Sequence, residues 1–334
     1  MAPNQFATDI KFDLNDGNKI PALGLGTLPP QDPSEVKNQV ITAVKAGYRL
    51  IDTAWYYGTE KYIGEALKEL FEEGVVKRED LFITTKVWPS FYHNPMKSLD
   101  ESLAALGIDY VDLFLQHWPV CLHGDDNGQP PAPKNEKGEL LYDDDPVTGT
   151  KFIDAYHSIE DIKLNTNKVK SVGVSNYSLV KLKKLLPKVK KFVPVVNQIE
   201  YHCQLPQKDL TDFCDEHNIV VEAYSPVGGT GAPVLKLGYI KELADKYGVS
   251  TNEIANAYHI LQGRVTLPRS SNLERIKTNI RLPHLTKEEL RALYAIGADK
   301  PVRYTNDPWG FGLGFKWWKG DTLSTEYDAP YLEK

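Results

Sequence analysis

Short apolar runs of β-type composition alternate along the chain with longer segments whose apolar residues recur at helical spacing, the mark of repeated βα units on a parallel sheet. Eight such runs stand out: Leu23 to Gly26, Arg49 to Asp52, Leu81 to Lys86, Val111 to His117, Ser171 to Ser175, Val195 to Glu200, Val220 to Tyr224 and Val265 to Pro268. Each is followed by a stretch able to form a helix. Several helix starts carry caps, with Asp32 ahead of Pro33 and the boxes Ser250…Glu253 and Thr286…Glu289. Before the repeats, Ile10 to Leu14 and Lys19 to Leu23 flank Asn15-Asp16-Gly17, which predicts a β-hairpin. The whole predicts an α/β fold, a closed (β/α)8 TIM barrel with the hairpin plugging one end.

Two segments break the rhythm. Residues 118–151, rich in Gly, Pro and Asp, are too many for an ordinary βα connection and read as a lid or specificity loop. The tail after Ile296 has no clear period yet carries Trp309, Trp317 and Trp318, aromatics that want something to cover. Length alone, 334 residues, leaves one domain or two open. The strand ends decide for one domain, 1–334, with the barrel over about 22–296 and the tail over 297–334, because their functional groups converge on a single rim.

Composition narrows the partners. With 41% hydrophobic and 25% charged residues the chain can bury a core. Thirty-nine basic against 45 acidic residues give a net charge of −6 with no block of like charge, which argues against nucleic acid and anionic membranes. No apolar run reaches the ~18 residues of a membrane span. Cys121, Cys203 and Cys214 show no metal-binding or disulfide spacing, so no metal is expected and a reducing, cytoplasmic setting fits. Met1 to Ile10 lacks the pattern of a secretory signal, so the sequon Asn176-Tyr177-Ser178 reads as chance. A barrel of this size is self-sufficient, so a monomer or homodimer is expected.

In such a barrel the chemistry sits where strands end. Asp52, Lys86, His117, Ser175 with Asn176, Gln198, and Tyr224 with Ser225 end six successive strands. Singly each has a dull reading, as a cap, a surface lysine or a core histidine. Together they form a proposal: Asp52 and Lys86 pair, and the ammonium lowers the pKa of Tyr57, five residues beyond Asp52, toward working range. Tyr57 then donates a proton to a carbonyl oxygen that a neutral His117 orients. No H-E-x-x-H, G-x-S-x-G or Walker motif supplies a nucleophile, so a nicotinamide hydride completes the reaction, without a G-x-G-x-x-G fingerprint to bind it.

Gly47-Tyr-Arg-Leu-Ile-Asp52-Thr-Ala-Trp-Tyr-Tyr57-Gly-Thr-Glu60 resembles the first signature of the aldo-keto reductases. Leu81 to Trp88, Asp112 to Pro119, Val172 to Asn176, Val196 to His202, Ala223 to Pro226 and Leu267 to Ser270 agree in order and spacing. The likeness runs from the hairpin to about Asn279 and is strongest with fungal members, in particular the arabinose dehydrogenase branch and its carbonyl-reducing relatives. It implies a catalytic tetrad of Asp52, Tyr57, Lys86 and His117. It also implies NADP(H) as cofactor, with NAD(H) use possible because Arg269 stands where lysine is usual. Ser175, Asn176 and Gln198 would hold the nicotinamide carboxamide, with Tyr224 stacked on the ring. Gly26, Thr27 and Leu28 would border the cofactor, and Ser225, Val227, Gly228 and Gly229 would wrap the pyrophosphate. Arg269, Ser270, Ser271, Asn272 and Arg275, opening the last helix, would take the 2′-phosphate, with Asn279 near the adenine.

For the substrate, a small carbonyl compound or alcohol, the candidate mouth is Leu28, Trp55, Tyr56, Trp88, His117, Trp118, Asn306 and Trp309. Leu28 replaces a tryptophan common in the family, which opens one wall. Arg303 to Trp309 resembles the tail motif of fungal sugar reductases, which raises aldoses, while the aromatic mouth suits aldehydes, ketones and keto esters. Two other readings stay open: a Schiff-base aldolase or lyase working through Lys86, and a cofactor-sensing protein with little turnover.

Overall fold

The computed structural model describes residues 5–125, 127–298, 300–305, 308–310 and 312–316. Strands β1 (Lys11–Asp13) and β2 (Lys19–Pro21) form the predicted antiparallel hairpin. Its turn closes at Gly17, whose φ of +88° suits a residue without a Cβ. Eight parallel strands follow: β3 (Gly24–Gly26), β4 (Leu50–Asp52), β5 (Phe82–Val87), β6 (Val111–Gln116), β7 (Val169–Ser175), β8 (Val196–Glu200), β9 (Val220–Tyr224) and β10 (Val265–Thr266). They pair in sequence order, and the ends meet through a parallel bridge from Leu23 to Thr266 and the bond from Gly26 N to Pro268 O (3.1 Å). The sheet thus closes on itself, as eight βα units should.

Strand alternation divides the side chains into two cores. The inward set, Leu50, Phe82, Leu113, Leu115, Val196, Val265 and Leu267, packs on Leu14 and Ile20 of the hairpin, which fill the barrel floor. Asn15 and Asn18 fasten the hairpin through bonds to Pro194 O and Ser171 Oγ. The barrel is tight here: a Cβ on Gly24 would lie 2.5 Å from Leu50 Cγ. The outward set packs under the helices, among them α1 (Glu35–Lys45), α2 (Glu60–Glu72), α3 (Pro95–Leu106), α4 (Lys151–Asn165), α5 (Leu179–Leu185) and α6 (Lys208–Glu216). The remainder are α7 (Gly238–Tyr247), α8 (Thr251–Ile260), α9 (Leu273–Thr278) and α10 (Lys287–Ala298). No helix among the described residues is long and apolar enough to cross a membrane.

Both predicted capping boxes form, Ser250 with Glu253 at α8 and Thr286 with Glu289 at α10. The start of α1 differs from expectation. Asp32 takes the N–H and hydroxyl of Ser34 in a preceding turn, and the helix begins at Glu35. The loop between β6 and α4 is ordered around the bridges Leu122 to Tyr142 and Lys134 to Leu140, and Trp88 Nε1 donates to Pro131 O. Its far end rests on the buried Lys181, whose Nζ donates to Pro146 O (2.9 Å).

Candidate active site

A cleft of ≈ 1080 Å³ opens at the C-terminal rim of the barrel. Inward-facing strand ends deliver its floor, because Asp52, Lys86, Gln198 and Tyr224 share the parity of the interior residues below them. The ammonium of Lys86 is wholly buried and fully engaged. It donates to Asp52 Oδ1 (2.8 Å) and Oδ2 (2.9 Å) and to Thr53 O (2.9 Å), and lies 3.4 Å from Tyr57 Oη. Burial works against its charge, but the Asp52 carboxylate overrides this and holds Lys86 above its ordinary value. A charged amine is no Schiff-base nucleophile, so the arrangement disfavours the aldolase alternative.

Tyr57 ends a single 3-10 turn after β4, half-buried at the floor. The expectation that Lys86 brings its phenol down to working range is corrected here. Burial raises the pKa, Lys86 lowers it and Asp52 raises it again, and the net position is above the ordinary phenol value. Tyr57 therefore holds its proton in the resting site. His117 is kept well below its ordinary value by burial and then by Lys86, so the ring is neutral. Its Nδ1 is buried with no partner among the described residues. An unpaired lone pair there costs less than an unpaired N–H, which places the proton on Nε2 as a donor.

Around this floor the side chains lock each other. Asn176, held at φ +61°, donates to His117 O (3.0 Å) and Ser175 Oγ (3.1 Å) and accepts from Tyr224 Oη (2.8 Å). Buried and bonded in this way, it offers no amide to a glycan, in keeping with a chance sequon. Ser175 Oγ donates to Gln198 O. Gln198 Nε2 donates both to Asp52 Oδ2 (2.8 Å) and to Glu222 Oε2 (2.7 Å). Burial first, and the nearby Asp52 second, hold Glu222 well above the usual carboxylate range. Motifs alone do not point to Glu222. Its one signal in the sequence is a lone acid inside the apolar run Val220-Val221-Glu222-Ala223.

The outer cleft has a polar arm and an aromatic arm. Gly26, Thr27, Leu28, Ser225, Val227, Gly228, Gly229, Arg269, Ser270, Ser271 and Arg275 all line the first. Arg269 spans it, donating from Nη1 to Leu28 O and Pro29 O, both at 3.0 Å. The glycines answer a packing demand as well, since a Cβ on Gly228 would meet Pro233 at 2.7 Å. Asn272 and Asn279 do not line the cleft. Asn272 caps α9 through Arg275 N, and Asn279 is buried under α8, where its carbonyl accepts from Asn256. Helix α9 has six residues and is followed by α10, so it is not the last.

In the aromatic arm Tyr56 stacks on Trp88 (3.7 Å between centroids) and Trp309 packs on Trp88 (5.9 Å) and Trp118 (5.6 Å). Leu122, Pro131, Ala132 and Leu140 of the long loop complete the wall. Trp55 is turned away. Its Nε1 donates to Glu101 on α3 and its ring meets Phe91 edge-on, because the tight turn sends it outward while Tyr56 and Tyr57 face the cleft. Asn306, Trp317 and Trp318 lie outside the described residues.

The aldo/keto reductase family model matches residues 22–298. A D-galacturonate reductase of Hypocrea jecorina is 41% identical over 310 residues, covering 91% of this chain and 97% of that protein. An NADP(+)-dependent glycerol 2-dehydrogenase of Saccharomyces cerevisiae is 41% identical over 293 residues, 86% and 91% of the two chains. An aldose reductase of Encephalitozoon cuniculi is 38% identical over 304 residues, 90% and 96%. The chain belongs to the aldo/keto reductase family and is a nicotinamide-dependent oxidoreductase of carbonyl compounds.

Proposed function

We propose that the protein is an NADPH-dependent reductase of aldehydes and ketones, aldoses and keto esters among them, running in reverse as an alcohol or sugar dehydrogenase. The observation that carries the reading is the Asp52–Lys86–Tyr57 chain beside a neutral His117 at the floor of the cleft. The residues suit the cofactor: polar groups that accept or donate at one end, small residues along the middle, and two arginines with two serines at the other. When bound, the nicotinamide supplies hydride to the carbonyl carbon. His117 Nε2–H orients the carbonyl oxygen, and Tyr57 Oη gives it a proton. Lys86, fixed by Asp52 and Thr53 O, stabilises the phenolate that Tyr57 becomes.

Ser175, Asn176, Gln198 and Tyr224 fix the nicotinamide in this reading, and Arg269, Ser270, Ser271 and Arg275 hold the 2′-phosphate. Trp88, Trp118 and Trp309 shape the substrate side, and Leu28 leaves one wall open. The chain works as one unit, in the cytoplasm, as a monomer or homodimer. NADPH consumption at 340 nm over arabinose, xylose, a diketone and an aromatic aldehyde, repeated with NADH, tests this. Turnover is expected with at least one carbonyl and faster with NADPH. No turnover with any of them would support a sensing protein instead.

A further inference from the structure

Gln198 hydrogen-bonds both carboxyl groups of the barrel interior at the site, Asp52 and Glu222. Its amide has two protons, and both are used: one on Asp52 Oδ2 at 2.8 Å, the other on Glu222 Oε2 at 2.7 Å. The reverse orientation would aim the amide oxygen at the Asp52 carboxylate, which repels it. The amide oxygen Oε1 is therefore what Gln198 presents to the cleft that it lines. Asp52 alone could not ensure this, because one bond leaves the amide free to pivot about it. Glu222 supplies the second point, from the neighbouring strand in register with Gln198. Glu222 is fully buried, and its other oxygen, Oε1, has no partner among the described residues. A buried acid that makes a single side-chain bond adds little to stability, since an apolar residue of similar size would pack there at no desolvation cost.

We propose that Glu222 is a positioning residue for hydride transfer, pinning the Gln198 amide so that its Oε1 accepts from the carboxamide nitrogen of the nicotinamide. The inference rests on the reading that Gln198 meets the carboxamide. Two points of attachment fix the plane of the amide, and through it the rotation of the ring. Glu222 touches neither cofactor nor substrate and acts only through Gln198.

The test is a double-mutant cycle on the intact enzyme. Cofactor binding is read by quenching of tryptophan fluorescence with NADP(+) and with 2′-phospho-ADP-ribose, which lacks the nicotinamide, and turnover is read with one aldehyde. Gln198→Ala tests the underlying reading. It is expected to weaken NADP(+) but not the fragment, and if both bind as before, that reading fails together with the inference built on it. Given that result, Glu222→Leu is expected to weaken NADP(+) and lower kcat/KM by about ten- to a hundredfold, on the scale set by losing the hydrogen-bond partner that orients a metal ligand. The fragment is expected to bind as in wild type, and the loss to shrink to less than about twofold when Gln198 is already Ala. Glu222→Gln keeps an acceptor oxygen and restores most of the activity. Equal losses from Glu222→Leu in both backgrounds, or Glu222→Gln as impaired as Glu222→Leu, overturn the proposal while leaving Gln198 in its role. Should the leucine variant not fold, Glu222→Asp withdraws the carboxylate by one methylene. The same losses are then expected in the same readouts, and equal losses in both backgrounds again overturn the proposal.

Discussion

The tail segment beside the aromatic arm is anchored by one buried acid, Glu200, alongside neutral bonds to Gln204 and Gln207, so removing that charge has a calculable result. Glu200, at the end of β8, accepts from Tyr304 N (2.6 Å), Thr305 N (3.3 Å), Thr305 Oγ1, His202 Nε2 (3.2 Å) and Arg303 Nη1 (3.4 Å). Burial opposes its charge, but His202 and Arg303 overrule that and keep the carboxyl below the usual range. Glu200→Gln preserves size and takes the Glu200 counter-charge from the Arg303 guanidinium, which is 2% exposed. Breaking a buried pair from one side costs about 3–5 kcal/mol. The chain relieves this most cheaply by lifting the segment that carries Arg303 to Thr305 and Trp309, because that segment has no strand partner among the described residues. At about 1.4 kcal/mol per decade, even ~3 kcal/mol raises the open fraction roughly a hundredfold. Proteolysis in the regime where cleavage follows the open population reads that fraction directly. KM for the carbonyl substrate rises about tenfold as Trp309 leaves Trp88 and Trp118. Unchanged cleavage together with an unchanged KM would refute the reasoning.

Three further outcomes follow from the same structure. Arg269→Met weakens NADPH about ten- to a hundredfold, the worth of a charge-assisted bond, and leaves NADH binding unchanged; equal loss with both cofactors in titration would place the 2′-phosphate elsewhere. Glu60, pushed up to about 7 by burial, is neutral more readily in the folded chain than at its ordinary value of 4.5. A raised carboxyl gives its stability in full below about pH 4.5 and loses it as pH climbs through about 7, so Glu60→Gln gains up to about 3 kcal/mol over wild type at about pH 8 and almost nothing at about pH 4 in urea unfolding. His259, lowered to about 3 by burial, has the opposite sign: its stability is present above about pH 6.5 and is lost toward about pH 3, at up to about 1.4 kcal/mol per pH unit. His259→Gln flattens that slope between about pH 6 and about pH 4 in the same unfolding assay, and a slope as steep as wild type would assign the pH dependence to another group.

The barrel was legible because strand and helix periods differ and because its strands end on polar residues. Parity then carries the site: once Leu50 faces the interior, Asp52 must, and the same holds for Lys86 above Phe82 and Gln198 above Val196. What was not legible depends on distance or on competition. Glu200 and Arg303 lie 103 residues apart, and no local pattern pairs them. Trp55 and Tyr56 are neighbouring aromatics, and only the turn geometry sends one to Glu101 and the other to Trp88. Asn272 and Asn279 read in the sequence only as ligand groups, whereas in the fold the Asn272 side chain also caps α9 and the Asn279 side-chain oxygen lies 3.5 Å from the Ser250 hydroxyl, contacts that no local pattern announces. The phenol of Tyr57 departs from expectation because spacing reveals the lysine beside it but not the burial that outweighs the lysine.

The proposed function makes Tyr57 the proton donor in carbonyl reduction. The direct measurement is single-turnover oxidation of bound NADPH by an aldehyde, wild type against Tyr57→Phe, with cofactor affinity measured alongside. The rate is expected to fall by about a hundredfold or more, the usual worth of a placed general acid, with affinity unchanged. A phenylalanine variant that oxidises NADPH at the wild-type rate would contradict that role.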